Sequence, residues 1–134
     1  MITLDTSAVV ALQDRKDARH AEAVSTLEAG RLPAVVPSGI LSEIGYLLDR
    51  RRPGSLDRVL ASIEDGTLVV DCGEDDVARI RELMIRYADL GLGFADSAVI
   101  ACAERNGGKV ITFDRRDFDV VSREGTIDVL PRLG

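Results

Sequence analysis

Apolar positions along this chain alternate between short unbroken runs and longer stretches where they recur three and four residues apart. The short runs predict buried strands at Met1–Leu4, at the proline-bounded Pro33–Pro37, at Leu68–Val70, at Lys109–Phe113 and, as a last edge strand, at Ile127–Leu130. The spaced stretches predict helices. Thr6 and Ser7 offer hydroxyls to cap one through Ala8–Gln13, and the alanine-rich Asp17–Ala29 is closed by Gly30. Ser38 opens a third that runs to Arg51, with Pro53-Gly54 to stop it. Ser55–Asp65 ends at Gly66, Glu74–Ala88 carries acids in its first turn, and Phe94–Arg105 is broken by Asn106-Gly107-Gly108.

Short apolar strands alternating with helices specify an α/β fold: a single-domain α/β/α sandwich with a central parallel sheet. No internal repeat or linker divides residues 1–134, so one domain is expected. In open sheets of this kind ligands bind beyond the carboxyl ends of the strands. Two acids stand at such ends, Asp5 after Met1–Leu4 and Asp114 after Lys109–Phe113.

Composition narrows the picture. Hydrophobic residues make up 46% but aromatics only 4%, with no Trp, so the core must be aliphatic and alanine-rich. MITLDTS has no basic region to begin a signal peptide, and no apolar run approaches the roughly 20 residues that span a bilayer. Cys72 and Cys102 lack any CxxC pairing, and reduced thiols in a cytoplasmic protein are the plainer reading. The net charge of −6 runs against nucleic-acid binding, which favours a basic surface. Arg50-Arg51-Arg52 and Arg115-Arg116 are local exceptions; the first also suits a solvated helix end.

Two further acids sit on apolar segments. Glu43 shares a helical face with Ile40 and Leu47, where a carboxylate costs several kcal/mol unless paired, with Arg50 a possible partner. Asp96 shares one with Val99, Ile100 and Ala103, in the first turn of an almost uncharged helix. Each acid has a plain structural alternative: Asp5 and Asp96 as helix caps, Asp114 as a turn residue. Asp117 lies one turn beyond Asp114, whereas Asp119 points elsewhere. Four carboxylates in one cleft would not all stay ionised unless a divalent cation joined them, and hard cations take oxygen ligands. That combination predicts a metal-dependent hydrolase acting on phosphodiesters. His20, the sole histidine, excludes zinc spacings such as HExxH, and no GxSxG, GxxxxGK[ST] or GxGxxG is present.

In order and content the motifs ITLDTSAVVAL, SGILSEIGYLL and GLGFADSAVIACAERNGGKVITFDRRDF resemble PIN-domain ribonucleases, in particular the VapC-type toxins of toxin–antitoxin pairs. The resemblance runs over essentially the full length. It implies that Asp5, Glu43, Asp96 and Asp114 are metal-binding acids, with Asp5 and Asp96 most directly tied to the ion. It matches Asp117 to an additional acid and Thr112 to a hydroxyl beside the site. It further implies Mg²⁺- or Mn²⁺-dependent cleavage of a structured RNA loop in tRNA or ribosomal RNA, homodimerisation, and a cognate antitoxin that occludes the cleft. On this reading Asp5, Asp96 and Asp114 hold Mg²⁺, and Glu43 binds it through water or orients the attacking water. Thr112 or Ser7 fixes a carboxylate from behind, and Arg115 or Arg116 holds the substrate phosphate.

Three rivals remain. A receiver domain would want paired acids near the N-terminus and a lysine after a late strand, but Lys109 precedes its strand. A haloacid-dehalogenase-like phosphatase would want DxD where LDTS has one Asp. A PIN-like fold kept only as an interaction module is the third.

Overall fold

The computed structural model describes residues 1–133. Five parallel strands form one sheet in the order β3-β2-β1-β4-β5, with β1 Thr3–Leu4, β2 Ala34–Pro37, β3 Leu68–Asp71, β4 Lys109–Ile111 and β5 Asp128–Leu130. Register is continuous across the centre: Thr3 faces Val35 on one side and Val110 on the other. The helices are α1 Thr6–Gln13, α2 His20–Glu28, α3 Leu41–Arg51, α4 Ser55–Glu64, α5 Val77–Arg86, α6 Phe94–Arg105 and α7 Arg115–Ser122. The chain reverses direction across the sheet between β1 and β4, and the crevice at that switch lies above their carboxyl ends.

Side-chain alternation on β1 assigns the layers. Thr3 points at α6, where its hydroxyl meets the Cys102 sulfur at 4.0 Å. Leu4 points the other way, into a wall shared with Val9 of α1 and Leu27 of α2. By the same parity Asp5 emerges on the α6 side. α6 packs across β1, β2 and β4 with α5 against it, while α1 packs with α2, α3 and α4. The expected α/β/α sandwich is therefore observed. Its core is aliphatic, as composition requires: Leu4, Val36, Ile44, Leu48, Leu83 and Ile100 are buried, with Ala8, Ala34 and Ala103 between them. Phe118 is the one fully buried aromatic among the described residues. Cys72 and Cys102 are both free thiols. No helix among the described residues is long and apolar enough to cross a membrane.

Several element boundaries differ from the sequence expectation, for identifiable reasons. The helix expected over Asp17–Ala29 begins only at His20, because the carboxylates of Asp14 and Asp17 accept from the backbone N–H of Lys16 and Arg19 and close a turn instead. The stretch from Ser38 starts as a 3₁₀ turn, Ser38–Ile40, before α3. Glu74–Ala88 shortens to Val77–Arg86, since the Asp76 carboxylate bonds Arg105 rather than capping its own helix. The segment after Asp114, to which the apolar pattern assigned no element, is a helix. α7 buries Phe118 and Val121 at helical spacing, and its charged remainder hides that signal.

Candidate active site

The β1–α1 and β4–α7 turns meet above the switch point, and three short side chains lock them together. Asp5 is only 5% exposed and caps α1: its Oδ1 accepts from the Ala8 N–H at 2.9 Å and the Ser7 hydroxyl at 2.7 Å. Its Oδ2 accepts from the buried Thr112 hydroxyl. The Ser7 hydroxyl in turn accepts from the Phe113 N–H at 2.9 Å, and Thr112 Oγ1 from the Asp114 N–H at 3.1 Å. Capping and ligation are thus compatible, because a carboxylate offers about four acceptor positions and three donors use three of them. Burial pushes the Asp5 carboxyl up; the hydrogen bonds from Thr112, Ala8 and Ser7 pull it down, and the charge of Asp114 adds to the rise.

Asp96 lies opposite, half-buried in the first turn of α6. It caps nothing: Gly93 occupies the cap position. Burial, and then the charges of Asp5, Asp114, Asp117 and Glu43, push its carboxyl up to about 6. Four acids from three other elements thus lie within electrostatic reach of Asp96, and three of them, Asp5, Glu43 and Asp114, line one cleft. Of these acids only Asp117 has an ion pair among the described residues, with Arg116 at 3.1 Å.

Glu43 reaches this space by a different route from the one its sequence neighbours suggested. It is exposed, and the buried stripe is formed by Ile40, Ile44 and Leu48, one position round from it. Arg50 does not pair with it either; its guanidinium donates to the Tyr46 hydroxyl at 2.5 Å. Glu43 instead lines a cleft of about 320 Å³ together with Asp5, Ser7, Leu47 and Asp114. Asp114 is exposed at the start of α7, and no donor among the described residues binds its carboxylate. Asp117, one turn on, takes a bond from the exposed Arg116 at 3.1 Å.

The two arginines expected to meet substrate are placed less favourably. Arg115 folds back on Asp119 at 3.1 Å and donates to the Pro131 carbonyl, which turns it away from the cleft and makes it a brace between α7 and β5. Arg116 is free to move but is neutralised by Asp117. The cations that do line the cleft are Arg19 and Arg51. Arg51 belongs to the Arg50-Arg51-Arg52 run visible in the sequence; Arg19 carries no such signal, because the turn between α1 and α2 brings it there.

Among the described residues, no three carboxylate, histidine or cysteine side chains stand close enough to grip one bare ion. The donor set still fits a hard divalent cation. Mg²⁺ keeps several waters and takes one or two carboxylates directly, so spaced acids suit it, and the all-oxygen lining offers nothing that favours zinc. The unneutralised charge around Asp96 is what such an ion would relieve.

A parallel α/β sheet with an uncompensated acid cluster at its switch point defines an acidic hydrolase cleft of the nuclease kind. A family model for the PIN domain matches residues 2–124, and the chain belongs to that family. Ribonuclease VapC26 of Mycobacterium tuberculosis is 26% identical over 121 residues, covering 88% of this chain and 90% of that protein. A crystal structure of the Mycobacterium tuberculosis VapC20, a sarcin-ricin loop cleaving toxin, superimposes with a TM-score of 0.74 at 23% identity, over 90% of this chain and 95% of that one. FitAcB from Neisseria gonorrhoeae superimposes with a TM-score of 0.66 at 18% identity, over 96% of each. A 29% identical match to a phosphate acyltransferase of Heliobacterium modesticaldum spans only 31% of that protein. The resemblance to VapC-type PIN ribonucleases read from the motifs is borne out.

Proposed function

We propose that this protein is a Mg²⁺-dependent endoribonuclease, with Mn²⁺ able to substitute, that acts as the toxin of a toxin–antitoxin pair in the cytoplasm. The observation that carries the reading is the set of four acids, Asp5, Asp114, Asp117 and Glu43, whose charges act on the half-buried Asp96, of which only Asp117 has an ion pair among the described residues. The ion, when bound, lowers the pKa of a coordinated water and offsets charge on the scissile phosphate. Asp5, Asp96 and Asp114 would hold it. Ser7 and Thr112 fix both oxygens of Asp5, so the carboxylate presents its free lone pair in one direction. Glu43, unpaired and exposed on the cleft wall, orients the attacking water. The attacking water gives up one proton as its oxygen bonds to phosphorus and the bond to the 3′ oxygen breaks, and the departing 3′ oxygen takes one proton up from solvent. The products are a 5′-phosphate and a 3′-hydroxyl, and the 2′-hydroxyl is not consumed.

A structured RNA loop, in tRNA or ribosomal RNA, is the substrate class that suits the recessed cleft, because unpaired nucleotides can be splayed into it. The names of VapC26, a ribonuclease, and VapC20, a loop-cleaving toxin, support that class. A cognate antitoxin covering the cleft and a homodimer complete the proposal. The test is incubation of antitoxin-free protein with total bacterial RNA, with Mg²⁺, with Mn²⁺ and with EDTA, beside Asp5→Ala. Mapping of 5′-phosphate ends should give discrete, metal-dependent sites that the variant lacks. RNA left intact by well-folded wild-type protein in either metal refutes it.

A further inference from the structure

An acidic cleft on a chain of net charge −6 repels the phosphodiester it is proposed to cut, so some part of its rim must recruit RNA. Part of the cleft lining has the chemistry to do this. On α3 the row Glu43, Leu47, Arg51 lines the cleft, at helical steps of four, and Arg19 from the α1–α2 turn stands beside it. Both guanidiniums are exposed: Arg19 pairs with the exposed Glu22 at 3.4 Å, and Arg51 with Asp17 at 3.2 Å and the buried Asp14 at 3.5 Å. The first pair contributes about 0–1 kcal/mol, so a phosphate can displace it, and Arg51 engages both acids through Nη2, which leaves Nη1 and Nε to donate to a phosphate. Arg15 and Lys16, in the same turn, are exposed and make no ion pair among the described residues.

The chain's few aromatics sharpen the case. Tyr46 lies one turn from Glu43, is 61% exposed, and has the Arg50 guanidinium 5.3 Å from its ring centre. Arg19 sits over the Phe113 ring at 5.9 Å, directly before Asp114. Exposed tyrosine costs solvation and contributes nothing to this core, yet a guanidinium-backed ring is what stacks an unpaired base.

We propose that this rim is the RNA-binding track of the enzyme: Arg19 and Arg51 take backbone phosphates, and Tyr46, backed by Arg50, stacks an unpaired base beside the cut. The proposal rests on the ribonuclease reading and names how its substrate is held. It moves the phosphate-binding role from Arg115 and Arg116 to residues that line the cleft.

The test measures binding apart from cleavage, by anisotropy of a fluorescein-labelled single-stranded RNA over a salt series, in an Asp96→Asn background. Arg19→Gln with Arg51→Gln should lower the slope of log affinity against log salt by about 1.4, two contacts at roughly 0.7 each on a single strand. Tyr46→Ala should weaken binding about tenfold with the slope unchanged. Arg81→Ala, an exposed cation on α5, should change neither. Thermal melts separate folding from binding, because a merely structural Arg51 lowers the melting temperature and leaves the slope alone. Slopes and affinities equal to the parent's in folded variants overturn the proposal. Rim-dependent binding by a wild-type protein that cleaves no RNA supports it and refutes the nuclease reading instead.

Discussion

Two carboxylate clusters sit at carboxyl ends of strands in this sheet, and their electrostatics are opposite. At β3, Asp71 and the buried Asp76 are both held by Arg105, at 2.6 Å and 2.5 Å, with Asn106 adding a bond to Asp71. The hydrogen bond from Arg105 lowers the Asp71 carboxyl below its ordinary value. At β1 and β4, by contrast, Asp5, Asp114 and Asp96 form no ion pair among the described residues, and burial, together with the charges of the neighbouring acids, raises the Asp96 carboxyl to about 6. A fold that only needed stability would pair the second set as it paired the first. Acids left to repel one another are kept for something that arrives later, which is the physical content of reading a perturbed group as functional.

The comparison is broken most severely by removing its most perturbed member. Asp96→Asn should abolish RNA cleavage in Mg²⁺, whereas Asp71→Asn should leave it intact, as measured by single-turnover cleavage. Thr112→Val should reduce cleavage by about 10–100-fold, the usual cost of losing a group that orients a ligand. It frees one oxygen of Asp5 without touching the charge. Arg105→Ala should destabilise the fold by about 2–3 kcal/mol in denaturant melts, because it leaves Asp76 buried and unpaired. Asp96→Asn should not destabilise metal-free protein at all.

The pH dependence of metal-free protein sharpens the contrast. The folded-state value of Asp96, about 6, lies above its ordinary 3.8, so its ionisation opposes folding above pH 6 and that penalty disappears as the pH falls towards 4. Asp71 is shifted the other way: it stabilises the fold above its ordinary 3.8 and that support is lost in more acid solution. Wild-type protein should therefore gain stability from pH 7 to pH 5, by no more than about 1 kcal/mol after screening, and Asp96→Asn should flatten that rise. Arg116→Ala should have the smallest effect, within about 0.5 kcal/mol, since its pair with Asp117 is exposed.

Much of this was legible in the sequence because strand ends and side-chain parity are local properties. Apolar runs ending at Asp5 and near Asp114 are enough to put both acids over one crevice of a parallel sheet. Glu43 was legible as an acid of interest but for the wrong reason, since a one-position rotation of α3 exchanges an apolar stripe for a cleft wall. α7 was hidden because only Phe118 and Val121 of its eight residues are buried. Arg115 and Arg19 illustrate what no local pattern holds. Arg115 is next to Asp114 in sequence yet braced on Pro131, while Arg19 is remote in sequence yet lines the cleft.

The central claim is that the unpaired cluster, and not the paired one, takes a divalent ion. A thermal melt of wild type, Asp96→Asn and Asp71→Asn over a Mg²⁺ series, with Mn²⁺ in parallel, tests it directly. Wild type and Asp71→Asn should gain stability with metal, by about 2.7 kcal/mol at a concentration 100 times the dissociation constant, and Asp96→Asn should not. No metal-dependent shift in wild type, or an equal shift in Asp96→Asn, would contradict the account.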